Sequence, residues 1–150
     1  DIPDQVLLPL LSRATMLTGN DLEMSRLEGR LGGPDAVRRS CSQALIVRRT
    51  GAHGCVLHPV GGEPIEVPGF MRAVVDTTGA GDTHTGVLVA GLLDGLDVVE
   101  AARRANAAAA HAVARSGPAQ APRREEIDAI LLESTEDGTE DDEGPDGSAR

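Results

Sequence analysis

Asp76-Thr77-Thr78-Gly79-Ala80-Gly81-Asp82-Thr83-His84-Thr85-Gly86, entered from the apolar run Ala73-Val74-Val75, decides how this 150-residue chain is read. The pattern predicts a strand ending near Asp76, a tight glycine loop, and a helix from about Ala80 through Val87-Leu88-Val89-Ala90 to about Asp94. Glycines at 79 and 81 let the backbone turn sharply, with outward-facing amides and no Cβ in the way. A helix start leaves unpaired N–H groups at the positive end of the helix dipole, a setting that favours a bound anion. Asp82 adds a carboxylate to the same turn. An anion cradle beside a positioned base is what transfer of a phosphoryl group to a hydroxyl requires. A strand–glycine–helix turn with Asp as an ordinary cap is also common in purely structural roles, so the loop alone leaves both readings open.

Working outward, strand-like and helix-like stretches alternate. Asp4 to Ser12 reads as a short helix limited by Pro9, and Ala14 to Thr18 as a strand broken by Gly19 and Asn20. Asp21 to Leu27 reads as a helix, and Asp35 caps another that ends near Ser40. Ala44 to Arg48 is a buried strand, and Cys55–His58 and Ile65–Val67, joined through Gly61-Gly62, form a hairpin. Asp97-Val98-Val99-Glu100 is a capping box that opens an Ala-rich helix to about Arg115, stopped by Gly117-Pro118, and Arg123 to Leu132 is the last helix. This alternation predicts an α/β fold with a mostly parallel sheet flanked by helices over residues 1–132. Residues 133–150, rich in Ser, Thr, Gly, Asp and Glu, are expected to be a disordered acidic tail.

Composition narrows the function classes. Phe70 is the one aromatic, so the core has to be built from Leu, Val, Ile and Ala. All 14 basic residues are Arg, which excludes a Schiff-base Lys, and no G-x-x-x-x-G-K-[ST] loop occurs. Of the net charge of −10, the tail from Glu133 to Arg150 carries −7, which leaves a body of −3 with no basic face for nucleic acid. Cys41 and Cys55 form no C-x-x-C pair or disulfide framework, so a reducing compartment is expected. Nothing reads as a signal peptide or a membrane span, and cytoplasm is the expected location. Cys55 and His58 would face opposite sides of a strand, and no second pair has ligand spacing, so a zinc site is not expected among the four His and two Cys.

Asn20-Asp21-Leu22-Glu23 has the spacing of a capping box. Thr50-Gly51-Ala52-His53-Gly54 reads as a turn between strands, and Asn106 is a polar residue within an alanine helix face.

The 76–86 string closely resembles the C-terminal signature of the ribokinase-like (PfkB) carbohydrate kinases, with His84 where that family usually has Phe. The resemblance spans about Leu17 to Leu132. It implies ATP-dependent phosphorylation of a sugar hydroxyl, with Asp82 as the base and the amides of Gly79, Ala80 and Gly81 holding the transferring phosphoryl group. It implies that Asn20 and Glu23 organise Mg²⁺ through water, and that Arg49, Gly51, Gly54 and Asn106 lie along the nucleotide. One carboxylate acting through water suits Mg²⁺, which keeps most of its waters. Asp76 matches a residue that binds a monovalent cation in many relatives, but Ala121 replaces a hydroxyl residue there, which argues against activation by K⁺. The family chain is about twice this long, so the resemblance covers a C-terminal half, and the chain begins at Asp1 without Met. Two alternatives stay open: a nucleotide-binding portion inactive without its N-terminal half, and a nucleoside kinase of the same family. Expected partners are ATP and a sugar-like alcohol, with no nucleic acid or membrane, and a homodimer is left open for the full-length enzyme.

Overall fold

A computed structural model describes residues 2–117 and 121–136. In chain order it contains α1 (Asp4–Arg13), β1 (Met16–Asn20), α2 (Asp21–Leu31), α3 (Pro34–Ser40), β2 (Leu45–Arg49), β3 (Gly54–His58), β4 (Ile65–Pro68), α4 (Ala80–Leu93), α5 (Val98–Val113) and α6 (Arg124–Glu136). The strands form one sheet in the order β1-β2-β3-β4. β1 runs parallel to β2, whereas β2–β3 and β3–β4 are antiparallel. Within the α/β class, the expectation of a mostly parallel sheet is therefore corrected for these four strands. The Gly51–His53 3-10 turn and the Gly61 turn are too short for crossover helices, so β2, β3 and β4 fold back as a meander.

Period-two alternation places the sheet between two helical layers. On β2, Val47 joins Cys55, Leu57 and Val67 against Leu88 of α4 and Ala101, Ala102 and Ala105 of α5. Its neighbour Ile46 turns to the opposite face, with Leu11 of α1, Met24 of α2 and Val37 of α3. The first layer covers one face across the sheet, and α1 to α3 cover the other face over β1 and β2, whereas β4 leaves Ile65 and Glu66 exposed. Without large aromatics, close approach comes from small residues: a Cβ added at Gly91 would lie 3.1 Å from the Cβ of Ala101. α6 closes the open side of α5, where Ile127 and Ile130 bury against Ala107 and Ala108.

Two further expectations are corrected. Residues 73–76 form no strand: Val74 and Val75 are exposed, and the amides of Val75 and Asp76 both donate to Val113 O, at 2.7 and 3.1 Å. A β-branched run alone cannot make a strand, and this one lies across the end of α5 with no strand beside it among the described residues. At the other end, α6 continues to Glu136, past the expected boundary at Leu132. Pro118 and residues 137–150 lie outside the described residues.

Candidate active site

The parallel pairing of β1 with β2 brings their C-terminal ends together, with Asn20 opposite Arg49. Asn20 caps α2: its Oδ1 accepts from Glu23 N–H at 2.9 Å, and Asn20 N–H donates to Glu23 Oε2 at 2.7 Å. The capping-box reading of this tetrapeptide is thus realised, and it fixes Glu23 over the end of the sheet. The same Oε2 receives Arg49 Nη2 at 3.2 Å, so the box and the end of β2 are tied through one carboxylate. Next door, Arg48 braces β2 to α2 through Asp21 at 2.7 Å, Glu28 at 2.7 Å and Ser25 Oγ at 3.0 Å.

The 76–82 loop is built as predicted from Asp76 onward. Gly79 adopts φ 80° and ψ −3°, a left-handed conformation that glycine takes without strain, and caps α4 with no side-chain partner. The first helical bond runs from Thr83 N–H to Gly79 O at 2.9 Å, so the amides of Gly79, Gly81 and Asp82 precede it. Ala80 N–H instead makes a long turn bond of 3.3 Å to Thr77 O. Asp76 holds the loop in place with both carboxylate oxygens: Oδ1 accepts from Thr78 N–H at 2.9 Å and Oδ2 from Gly117 N–H at 3.1 Å. These bonds, Thr78 first, keep its carboxyl below the usual range. Asp82 is exposed, in the first turn of α4.

Beneath the loop lies a buried polar chain. Asn106 Nδ2 donates to Val67 O and Pro68 O, both at 3.0 Å, and its Oδ1 lies 3.0 Å from His84 Nε2. Because that amide oxygen can only accept, His84 carries its proton on Nε2. Its Nδ1 is buried without a partner. Burial, with Arg49 nearby as a smaller cause, lowers the imidazole pKa to about 4 against the pull of the Asn106 bond.

These elements enclose a cavity of about 440 Å³. Asn20, Glu23, Arg49, Gly51, Gly54, Asn106 and the 79–82 loop all border it, so of the site residues expected from sequence Asp76 alone is not on the wall. Gly54 is there for a structural reason, with φ 100° and no room for a Cβ beside Val67 O. Gly51, at φ 65°, faces open space. The far wall is apolar, made by Phe70, Val74, Ala109, Ala110 and Val113. Sequence reading did not assign Phe70, Val74 or Val113 to this wall, although 106, 109, 110 and 113 recur at helical spacing on one face of α5. A second cavity of about 500 Å³ lies toward β1, and the two share only Glu23, Arg49 and Asp82. Among the described residues no group of three or more His, Cys, Asp or Glu could hold a metal by itself, and no helix is long and apolar enough to cross a membrane.

An uncapped helix start with a carboxylate in its first turn thus opens onto a partly apolar cavity at the end of an α/β sheet. The pfkB family carbohydrate kinase model matches residues 1–124, and the chain belongs to that family. It is similar to the bifunctional protein HldE of Rhodopseudomonas palustris strain HaA2, 38% identical over 115 residues that make up 71% of this chain and 23% of that one. Among solved structures it resembles an Arabidopsis thaliana ribokinase complexed with ribose and ATP, at 30% identity and a TM-score of 0.73, over 83% of this chain and 43% of that one. A Burkholderia thailandensis nucleoside kinase complexed with inosine matches at 29% identity and a TM-score of 0.78, over 88% and 44%. The chain thus spans less than half of each of these three proteins.

Proposed function

We propose that this chain is the nucleotide-binding and catalytic portion of an ATP-dependent kinase that phosphorylates a sugar hydroxyl. One observation carries the reading: the uncapped start of α4, with Asp82 in its first turn, faces Glu23 and Arg49 across one cavity. The apolar wall of Phe70, Val74, Ala109 and Ala110 suits the flat face of a purine. That orientation directs the phosphates toward the 79–82 amides. Asn106 is then a positioning residue, since both ends of its amide are engaged by His84 and the β4 carbonyls. Gly51, whose missing Cβ faces open space, lets the backbone pass close to the nucleotide.

Asp82 acts as general base. As the acceptor oxygen bonds to the γ-phosphorus, its proton passes to the Asp82 carboxylate and the bond to the ADP oxygen breaks. The amides of Gly79, Gly81 and Asp82 stabilise the charge that develops on the phosphoryl oxygens, and Ala80 N–H, on its long bond to Thr77 O, joins them if that bond gives way. Glu23 and Asn20 fit Mg²⁺ held through water: Oε2 serves the cap and Arg49, and no partner holds Oε1 among the described residues. A bound Mg²⁺ would neutralise phosphate charge there. Ala121, in place of a hydroxyl residue near the loop that Asp76 holds, supports a kinase that works without K⁺. The cytoplasm, where ATP is abundant, is the location we assign.

ADP release measured with the complete protein that carries this chain tests the reading against a panel of ribose, fructose, a keto-deoxy sugar acid, hexose and heptose phosphates, and inosine. Turnover with one of them is expected, and Asp82→Asn should lower kcat by about 10²- to 10⁴-fold. An unchanged kcat in that variant removes Asp82 from its role. Turnover with inosine alone favours the nucleoside-kinase alternative.

A further inference from the structure

Arg49 stands where the two cavities meet, and its guanidinium is under-used. It is half-buried, with 17% of the side chain exposed, yet among the described residues Glu23 is its one hydrogen-bond partner. Nε is buried with no partner at all. A guanidinium offers five N–H donors in a rigid fork, and leaving them unmet away from water is costly. Nη1 lies so close to Gly81 that a Cβ there would overlap it, although Gly81 itself needs no positive φ. The second glycine of the loop therefore gives Arg49 its seat against the cradle amides. The one contact that holds Arg49 back is with the carboxylate that would organise Mg²⁺.

We propose, building on the nucleotide reading above, that Arg49 is a phosphate-contacting residue that exchanges Glu23 for the nucleotide's phosphates on binding. Without nucleotide, Arg49 neutralises Glu23 and shields the cradle. When phosphate enters, the guanidinium forks onto its oxygens in a charge-assisted bond stronger than the single 3.2 Å contact to Glu23. The same movement frees Glu23 Oε2 for the water shell of Mg²⁺. One ion-pair exchange thus couples cation and phosphate, so that neither binds fully without the other.

Calorimetry on the complete protein, with ATP and with adenosine, tests this in Arg49→Gln, Arg49→Lys, Glu23→Gln and the Arg49→Gln/Glu23→Gln pair. Arg49→Gln should lose about tenfold or more in ATP affinity and leave adenosine within about twofold, because only phosphates meet the guanidinium. Arg49→Lys should recover part of that loss. Glu23→Gln keeps the capping box, and with Mg²⁺ chelated it should bind ATP several-fold tighter than wild type, because Arg49 is released. That gain should vanish in the double variant. A purely structural Arg49 would weaken ATP and adenosine alike, and this result, or unchanged ATP affinity in Arg49→Gln, overturns the proposal while leaving the nucleotide reading intact. A wild type that binds neither ligand overturns the nucleotide reading itself, and this proposal with it.

Discussion

His84 is a titratable side chain sealed beneath the phosphate loop, 2% exposed, and its pKa of about 4 ties stability to pH. The unfolded chain takes up this proton near the ordinary value of 6.5, whereas the folded chain resists it until about 4. The contribution of a neutral His84 is therefore complete above about pH 6.5 and is lost as pH falls through that window, by about 3 kcal/mol at its foot. Denaturation midpoints between pH 7.5 and 4.5 should fall more steeply for wild type than for His84→Phe, and parallel curves would contradict the assignment. Gly54 gives a second test at this scale. With φ 100° and Val67 O where its Cβ would stand, Gly54→Ala should destabilise by about 2 kcal/mol or more, read from the urea midpoint. Part of this scale was legible: the loop glycines and the Asn20–Glu23 capping box are marked by residue type and spacing. The His84–Asn106 bond was not, because residues 22 positions apart on two helices meet only after the helices pack.

At the scale of elements, α2 depends on its cap. Asn20→Ala removes the acceptor for Glu23 N–H and should cost about 1 kcal/mol, while Asn20→Asp keeps the cap and should be nearly neutral in stability. If Mg²⁺-dependent ATP affinity also survives in Asn20→Ala, Asn20 serves the helix alone. Capping residues and glycine stops placed α4 and α5 closely, whereas α2 starts at Asp21 as expected but runs past Leu27 to Leu31, up to Gly32. The sheet was harder to read. The hairpin of β3 and β4 follows from its turn glycines, but β1 begins at Met16 rather than Ala14, since strand ends carry no capping chemistry. The run at 73–76 looked like a strand because Val-Val favours one, and only the absence of a neighbouring strand showed otherwise. Direction of pairing is equally non-local: helix–strand alternation holds for β1 to β2, and then gives way to short turns.

On the scale of the molecule, the site stands where three layers meet. Helices α1 to α3 position Glu23 through the end of β1, the sheet supplies Arg49, and α4 and α5 supply the loop and the apolar wall. Asp76 bonds Gly117 as well as Thr78, which ties the loop to the end of α5, and Ala121 brings no hydroxyl to a cation site there. Activity should accordingly be the same in K⁺ and in tetramethylammonium buffers, and a K⁺ requirement would contradict this account of Asp76. The central claim is that nucleotide phosphates sit on the 79–82 loop. The measurement that meets it most directly is calorimetric titration of MgATP into the complete protein, wild type beside Gly81→Val. A Val side chain would collide with Arg49 and cover the cradle, so binding should be lost while the far-UV spectrum and melting temperature stay near those of wild type. Equal affinity in a folded Gly81→Val variant would contradict the claim, because no phosphate could then rest where the account puts it.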